Sequence, residues 1–257
     1  MEDNIYGVPL YEGERIDEVN DRLRLIQKPE GLTFGTDALL LAAFVNEKSK
    51  KGLELGAGSG IISMLLLTRG KLSSAKCLEV QDEYASLTER NARLNSLSDK
   101  LTVECADIRY ADLSDSYDAV YTNPPYMKTD SGKENAVTKK NVARHEVFGD
   151  IYDFCRSAKR GLKFGGNFYA VYRPDRLIDL ISAMRSSAIE PKRIIPVIAD
   201  MKKSPSVVLV EGKLGGKSGL FYTPPFVIYT DEKHEKYTPH MDYVMENGAF
   251  PKEFIAR

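Results

Sequence analysis

Apolar positions along the chain fall into two alternating kinds of segment. Short apolar runs bounded by glycine, proline or acidic residues predict strands, whereas stretches with apolar residues three or four apart predict helices. The predicted strands lie at residues 51–55, 74–80, 101–105, 117–122, 165–172, 193–199 and 206–211, with an edge strand at 225–229 and a short strand near 16–25. The predicted helices lie at residues 38–45, 61–67, 82–97, 151–162 and 174–187.

This alternation favours an α/β fold class. Strands that alternate with helices form a mostly parallel sheet with helices on both faces and right-handed crossovers. The last two of the seven main strands are joined by a short basic turn, so we expect an antiparallel C-terminal hairpin strand. We expect one domain over residues 1–257: an N-terminal extension (1–50), a core (51–212) and a C-terminal extension (213–257). Thr36 or Asp37 is expected to cap the first helix.

The amino-acid composition says more about the cellular compartment of the protein than about its function. Three cysteines, Cys77, Cys105 and Cys155, lie far apart with no C-x-x-C pair, which indicates neither a zinc site nor a disulfide framework. The longest apolar run has eight residues (38–45), too few to span a membrane, and the N-terminus is polar and acidic. We therefore expect a cytoplasmic protein without a metal site.

The charges are unevenly spread. The net charge of −1 argues against a generally basic surface, yet residues 156–176 hold six bases and one acid, and residues 126–145 hold five bases and two acids. Residues 1–24 hold seven acids and three bases. One basic face on an otherwise neutral protein is one interpretation, and ordinary solvated helix faces are the other.

A glycine turn, residues 54–60, follows the first core strand with the sequence ELGAGSG. The dinucleotide fingerprint G-x-G-x-x-G fails here, because a match beginning at Gly56 needs a third glycine where the chain has Ile61. The spacing E-x-G-x-G-x-G, with Gly56, Gly58 and Gly60, resembles motif I of the class I S-adenosylmethionine (AdoMet) methyltransferases. That resemblance implies a Rossmann-like fold, AdoMet as cofactor and Glu54 near its methionyl amino group. The alternative is a plain tight turn.

Polar residues also follow the next three strands. Glu79 ends the second strand, where carboxylate oxygens can accept both ribose hydroxyls, and Val80 is expected to line the same pocket. Asp107 follows the third strand and is placed to accept from the adenine amino group of the cofactor. Asn123 follows the fourth strand and is expected to border the cofactor. A surface glutamate is the alternative for Glu79.

The sequence Asn123-Pro124-Pro125-Tyr126 carries the predicted chemistry. An aromatic amine is a poor nucleophile because its lone pair is delocalised into the ring. The Asn123 side-chain oxygen and the Pro124 carbonyl would accept the two N–H groups and draw the nitrogen towards tetrahedral geometry. The prolines would fix the direction of that carbonyl. Tyr126 would stack on the flat target. The tetrapeptide resembles that of amino methyltransferases acting on adenine, cytosine, guanine or a protein glutamine.

More of the chain supports one family. Residues 31–44 (GLTFGTDALLLAAF), together with LELGAGSG, LEVQ at 78–81, ARHE at 143–146 and PPFVIYT at 224–230, resemble the tRNA1(Val) (adenine-37-N6)-methyltransferase family. That family closes the FGTDALLLA segment over AdoMet, which implies that Phe34, Gly35, Thr36 and Asp37 lie near the cofactor. The resemblance implies an anticodon-loop adenine as target.

RNA is therefore the expected partner. A loop base can be extruded into the Tyr126 pocket with little unpairing. The polar segment 127–150 would fold over the substrate, and its basic residues would contact phosphates: Lys128, Lys139, Lys140 and Arg144. Three alternatives stay open: methylation of a protein glutamine, methylation of ribosomal RNA or DNA, and an RNA-binding factor that holds AdoMet without turnover.

Overall fold

The computed structural model describes residues 7–28, 35–45, 50–114, 116–124 and 149–255. Its strands are β1 (Arg15–Asn20), β2 (Leu23–Gln27), β3 (Lys51–Leu55), β4 (Ser74–Glu79), β5 (Leu101–Cys105), β6 (Tyr117–Thr122), β7 (Leu162–Tyr172), β8 (Ile189–Ile198), β9 (Val207–Leu214), β10 (Phe221–Tyr222) and β11 (Phe226–Val227). Its α-helices are α1 (Thr36–Phe44), α2 (Ile61–Thr68), α3 (Asp82–Leu94), α4 (Ile151–Gly161), α5 (Leu177–Ser186) and α6 (Pro239–Asn247). Short 3₁₀ turns span Pro174–Arg176 and Lys252–Phe254.

The predicted α/β fold class is confirmed. Within the described residues the main sheet has the order β10-β8-β9-β7-β6-β3-β4-β5, and β11 also pairs with β8. β3, β4, β5, β6 and β7 are parallel neighbours, whereas β9 runs antiparallel to both β7 and β8. The predicted hairpin is therefore present, and the predicted edge strand near 225–229 is the two-residue β11. The parallel strands present their carboxyl ends along one edge, called the carboxyl edge below.

Alternation along the strands divides the core between the two faces. In β6, Ala119 and Tyr121 belong to the cluster that packs under α1, α2 and α3, whereas Val120 belongs to the cluster under α4 and α5. This is the period of two expected for a strand buried on both faces. Within the described part of the chain, no helix has the length and apolar character that a membrane crossing requires.

The predicted N-terminal strand is a separate two-stranded hairpin, β1–β2, which docks on α3. Two asparagine side-chain amides form the backbone hydrogen bonds with β2 that a neighbouring strand would otherwise form. Asn91 Oδ1 accepts from Ile26 N (2.7 Å), and Asn95 Oδ1 accepts from Arg24 N (2.9 Å) while its Nδ2 donates to Arg24 O (2.7 Å). These bonds satisfy backbone groups on the second edge of β2 and fix the hairpin against α3.

The expected cap of the first helix is wrong. Thr36 is already the first residue of α1, and Gly35, in extended conformation (φ −113°, ψ 177°), is the N-cap without a side-chain hydrogen bond. At the other end the buried Lys71 ammonium donates to the carbonyls of Ala42, Ala43 and Val45 at 3.0, 2.9 and 2.9 Å. A cation at the helix C-terminus offsets the unpaired carbonyls there.

Candidate active site

The glycine turn adopts a conformation that needs glycine. Gly56, Gly58 and Gly60 have φ of +70°, +57° and +76°, all in the left-handed region. Gly60 is also tightly packed, since a Cβ there would lie 2.5 Å from Thr88 Cγ2. The N–H groups of Gly56 and Ala57 both donate to Leu78 O, at 2.9 and 3.1 Å, so the turn is tied to the end of β4.

Glu79 supports this turn from the adjacent strand. It is buried, and its two carboxylate oxygens accept from Gly58 N (2.9 Å) and Gln81 N (3.0 Å). Thr88 Oγ1 adds a bond of 2.8 Å to Gly58 O. The structure thus brings Glu79 and the glycine turn together, as the sequence predicted. The contact of Glu79 with ribose hydroxyls stays a prediction.

Glu54 lies beneath the turn, in a buried polar cluster that sequence reasoning did not anticipate. Its Oε2 accepts from the N and Oγ of Ser63 at 3.0 and 2.5 Å, and Ser63 Oγ shares a 2.7 Å hydrogen bond with the hydroxyl of Tyr121. Cys77 Sγ also lies 3.6 Å from Glu54 Oε2. Burial raises the pKa of Glu54 to about 7 despite these donors. Its predicted contact with the methionyl amino group stays a prediction.

The third predicted acid, Asp107, is already paired. Arg109 approaches it with Nε at 3.0 Å from both carboxylate oxygens and with Nη2 at 2.6 Å from Oδ2, and Arg109 N donates to Oδ1. These bonds lower the pKa of Asp107. Val80, half-buried, lies one residue beyond β4. Sequence reasoning missed Arg109, whose only sequence signal is the spacing of two residues from Asp107.

Asn123 and Pro124 emerge at the carboxyl edge next to the glycine turn. Thr122, at the end of β6, is fully buried and donates from Oγ1 to Leu55 O at 2.8 Å, which joins the ends of β6 and β3. Asn123 is therefore delivered beside the turn, half-buried, and Pro124 is buried. The remaining site and RNA-contact residues named from the sequence lie outside the described residues: Phe34, Pro125, Tyr126, Lys128, Lys139, Lys140 and Arg144.

A cleft of about 600 Å³ opens at the same edge, on the β7–β9 side. It is lined by Asp37, by 173–175 after β7 and by 205–207 where β9 begins. Because β7 pairs with β6, which ends just before Asn123, this cleft lies one strand away from Asn123. Asp37 thus reaches the carboxyl edge, with Gly35 exposed and Thr36 half-buried just before it. Sequence reasoning missed the Arg173–Asp175 ion pair on the cleft wall (2.7 Å).

The carboxyl edge therefore combines a glycine backbone that a ligand can approach closely, carboxylates suited to hydroxyl and amine donors, and the planar amide of Asn123, whose oxygen is a hydrogen-bond acceptor. The helix α2 begins at the turn, with Gly60 as its N-cap. In the part of the chain that the structure describes, no group of three or more His, Cys, Asp or Glu is arranged to hold a metal ion. The arrangement suits recognition of an adenosyl group and of a flat amine or amide.

Comparison with known proteins gives a consistent result. Residues 30–178 match the family model of the methyltransferase small domain. A tRNA1(Val) (adenine(37)-N6)-methyltransferase of Parabacteroides distasonis is 29% identical over 185 residues, which cover 69% of this chain and 75% of that protein. A protein of the same name from Dyadobacter fermentans is 26% identical over 141 residues, which cover 54% of this chain and 58% of that protein.

Solved structures share the fold. A predicted O-methyltransferase from Agrobacterium tumefaciens superposes with a TM-score of 0.68 at 21% identity, covering 84% of this chain and 98% of that one. TYW2 from M. jannaschii, solved in complex with AdoMet, superposes with a TM-score of 0.55 at 16% identity, covering 80% of this chain and 88% of that one. At these identities the likeness establishes architecture alone.

Proposed function

The chain belongs to the methyltransferase small domain family, and from that premise we propose that it transfers a methyl group from AdoMet to N6 of an adenine in RNA. One observation carries the proposal. The glycine turn with Glu79 and the Asn123–Pro124 pair lie on adjacent strands at one edge of the sheet. A methyl donor in the turn and an amine at Asn123 would therefore meet. We propose that residues 1–257 act as a single methyltransferase domain.

The residues at the turn fit AdoMet. Gly56 and Gly58 are partly exposed while Gly60 is buried, so the turn offers open backbone to a ligand. Glu79 and Asp107 supply the carboxylates for the ribose hydroxyls and the adenine amino group, and Glu54 lies under the methionyl end. When bound, AdoMet supplies an electrophilic methyl group on a sulfonium centre.

The chain's own residues prepare the amine. The Asn123 side-chain oxygen accepts one N–H of the target nitrogen and the Pro124 carbonyl accepts the other, which frees the nitrogen lone pair from the ring for attack on the methyl carbon. Pro125 is proposed to stiffen the segment and Tyr126 to stack on the base, an interaction worth about 1–3 kcal/mol per base. As the bond from nitrogen to carbon forms, the methyl–sulfur bond would break with its electron pair left on sulfur as a neutral thioether, and the nitrogen would release one proton to solvent. Positioning supplies most of the rate.

The substrate class follows the relatives. The Parabacteroides and Dyadobacter proteins are named for adenine 37 of tRNA1(Val), and we propose an anticodon-loop adenine as the target here. A cleft of about 600 Å³ at the ends of β7 and β9, one strand away from β6 and Asn123, is large enough for a base extruded from its stack. Lys128, Lys139, Lys140 and Arg144 are proposed to hold the flanking phosphates.

The test is transfer of labelled methyl from AdoMet to total tRNA isolated from a strain that lacks this protein. The label is followed through ribonuclease digestion, protease digestion and nucleoside separation. We expect label in N6-methyladenosine, lost from high-molecular-weight material with ribonuclease and retained with protease. Label that survives ribonuclease and is released by protease would overturn the proposal in favour of a protein glutamine.

A further inference from the structure

A basic groove lies on the α4–α5 face of the sheet, outside the site just described. It has a volume of about 490 Å³ and runs between α4 and the C-terminal end of α5, closed on one side by the turn after Asp107. Eight residues line it: Arg109, Asp153, Arg156, Ser157, Lys159, Arg160, Ser186 and Ser187. Four of these are cations and one is an acid; Arg109 is paired with Asp107, so the excess positive charge of the groove lies on α4.

The structure divides the basic run 156–176 into two halves. Lys163 pairs with Asp118 (3.0 Å), and Arg173 and Arg176 pair with Asp175 and Asp179 (both 2.7 Å). These three cations lie outside the groove and are largely neutralised. The positive charge that remains is therefore concentrated in the first half of the run, where α4 forms one wall of the groove.

The cations on the α4 wall of the groove are neutralised by carboxylates to a smaller extent than Lys163, Arg173 and Arg176. Arg156 pairs with Asp153, and Arg160 donates to the neutral carbonyls of Ile108, Arg109 and Ala111. Within the described ranges, neither Arg160 nor the exposed Lys159 forms an ion pair with a carboxylate. A cation bonded only to neutral groups, here carbonyls and the Ser157 hydroxyl, keeps its full charge, so this wall attracts an anion.

A buried hydroxyl in the same groove also lacks a partner. Ser187 is 1% exposed, lines the groove, and its Oγ has no hydrogen-bond partner among the described residues. Its backbone N–H donates to Ala183 and Met184 at the end of α5, so the residue is held in place. A buried hydroxyl without a partner can donate a hydrogen bond to an acceptor that enters the groove.

The groove is connected to the proposed cofactor site through Arg109. That side chain lines the groove and at the same time holds Asp107 at the carboxyl edge. Helix α4 begins at Ile151, after the segment that follows Asn123, and carries its basic residues away from the carboxyl edge. Arg109 therefore joins the groove on the α4–α5 face to the carboxyl edge through its contact with Asp107.

We propose that this basic groove binds backbone phosphates of the RNA substrate, away from the base that receives the methyl group; the inference rests on the proposed function. Guanidinium groups suit phosphate oxygens because they offer paired donors, and an open groove admits a continuous chain. Contacts to phosphates position an RNA without reading its sequence. The groove thus sets the register of the RNA against the Asn123 edge.

The test compares two double variants of the full chain. R156Q/K159Q removes one arginine and one lysine from the groove, neither of which holds the fold through carbonyl bonds. R93Q/K100Q removes the same two residue types from exposed positions on α3 and after it, on the opposite face of the sheet. Each protein is titrated with a fluorescent tRNA transcript at several salt concentrations, and thermal unfolding and AdoMet affinity are measured beside it.

We expect R156Q/K159Q to bind tRNA about tenfold more weakly, with a slope of log K against log salt smaller by about 1–2, because each lost phosphate contact reduces that slope by ~0.7–0.9. R93Q/K100Q should bind within about twofold of the wild type, and AdoMet affinity should be unchanged in both. Equal binding by all three proteins, or equal weakening of both variants, would overturn the proposal.

The two proposals fail in different ways. If the wild type methylates tRNA while R156Q/K159Q binds it normally, the groove assignment is wrong and the proposed function stands. If the wild type places no methyl group on RNA yet R156Q/K159Q alone loses tRNA binding, the groove assignment stands and the reaction was misassigned.

Discussion

The glycine turn and the basic groove each contain a buried serine, in opposite states. Ser63 is fully buried under the turn and bonds to both Glu54 and Tyr121. Ser187 is just as buried in the groove, yet its hydroxyl has no partner within the described residues. Polar groups that are bonded internally fix a shape before a ligand arrives, whereas an unbonded group is left for a ligand.

The charged side chains follow the same division. Each oxygen of Glu79 accepts one backbone N–H of the turn region, which fixes the carboxylate, and each oxygen has a further lone pair for a ligand. In the groove, Arg160 bonds to carbonyls and keeps its charge. The turn is therefore built for a precise, preorganised fit, and the groove for adaptable electrostatic attraction. Changes in the first should cost stability, and changes in the second should cost binding.

The largest expected effect on stability is that of Gly60→Ala. A Cβ there would lie 2.5 Å from Thr88 Cγ2 and 3.0 Å from Met64 Cε, at φ +76°. The left-handed backbone costs about 1–2 kcal/mol, and the overpacking adds about 1–3 kcal/mol. Urea denaturation should report the sum as a lower free energy of unfolding.

Gly70→Ala is the matched control. Its φ is +68°, but nothing lies within 4 Å of the added Cβ. It should show the backbone cost of about 1–2 kcal/mol alone. If Gly60→Ala is no more destabilising than Gly70→Ala, the turn is not tightly packed against α3 and the contrast with the groove weakens.

The next effect is the pH dependence that Glu54 imposes. Its pKa is about 7 in the folded protein and near 4.5 when unfolded. Below pH 4.5 both states carry the proton and the carboxyl contributes nothing. Between pH 4.5 and 7 only the folded state keeps it, so the free energy of unfolding falls as pH rises, by about 3 kcal/mol in all, and stays level above pH 7.

This loss is measured against Glu54→Gln, which cannot ionise. The stability of the wild type relative to that variant, from urea denaturation, should decrease by about 3 kcal/mol between pH 4.5 and 7. A difference that stays constant over this range would mean that Glu54 ionises as freely as in the unfolded chain. The cluster beneath the turn would then be open to water.

The smallest expected changes in stability are those of substitutions at the two serines. Ser63→Ala removes a donor from a buried carboxyl and should destabilise the protein by about 1–3 kcal/mol. Ser187→Ala removes a hydroxyl without a partner and should change the free energy of unfolding by less than about 0.5 kcal/mol, or raise it. Equal destabilisation by the two substitutions, in denaturant or thermal unfolding, would contradict the contrast drawn between the regions.

The sequence predicted local features better than long-range ones. The glycine turn, Glu79 at the end of β4 and the hairpin of β8 and β9 follow from spacing and period, because each depends on neighbours in the chain. The spacing that predicts the helix at residues 82–97 does not predict a partner for Asn91 within it. Its bond to Ile26, sixty-five residues away, depends on how the N-terminal hairpin docks.

The helix cap and the basic run show where local reasoning fails. Thr36 and Asp37 are good capping residues, yet Thr36 is already the first residue of α1 and the N-cap is Gly35. The six bases of residues 156–176 look alike in sequence. Only the fold separates Lys163, which meets Asp118 on another strand, from Lys159 in the groove. Partners brought by tertiary structure decide which charges remain available.

The measurement that tests the central claim most directly is the turnover of Asn123→Ala on tRNA, taken with its AdoMet affinity and compared with Glu79→Ala. We expect Asn123→Ala to lower kcat by about 10²-fold or more with AdoMet affinity retained, because the lost acceptor acts only on the amine. Glu79→Ala should instead weaken AdoMet binding. If Asn123→Ala keeps normal turnover, or loses AdoMet affinity and turnover equally, this edge does not activate the amine as proposed.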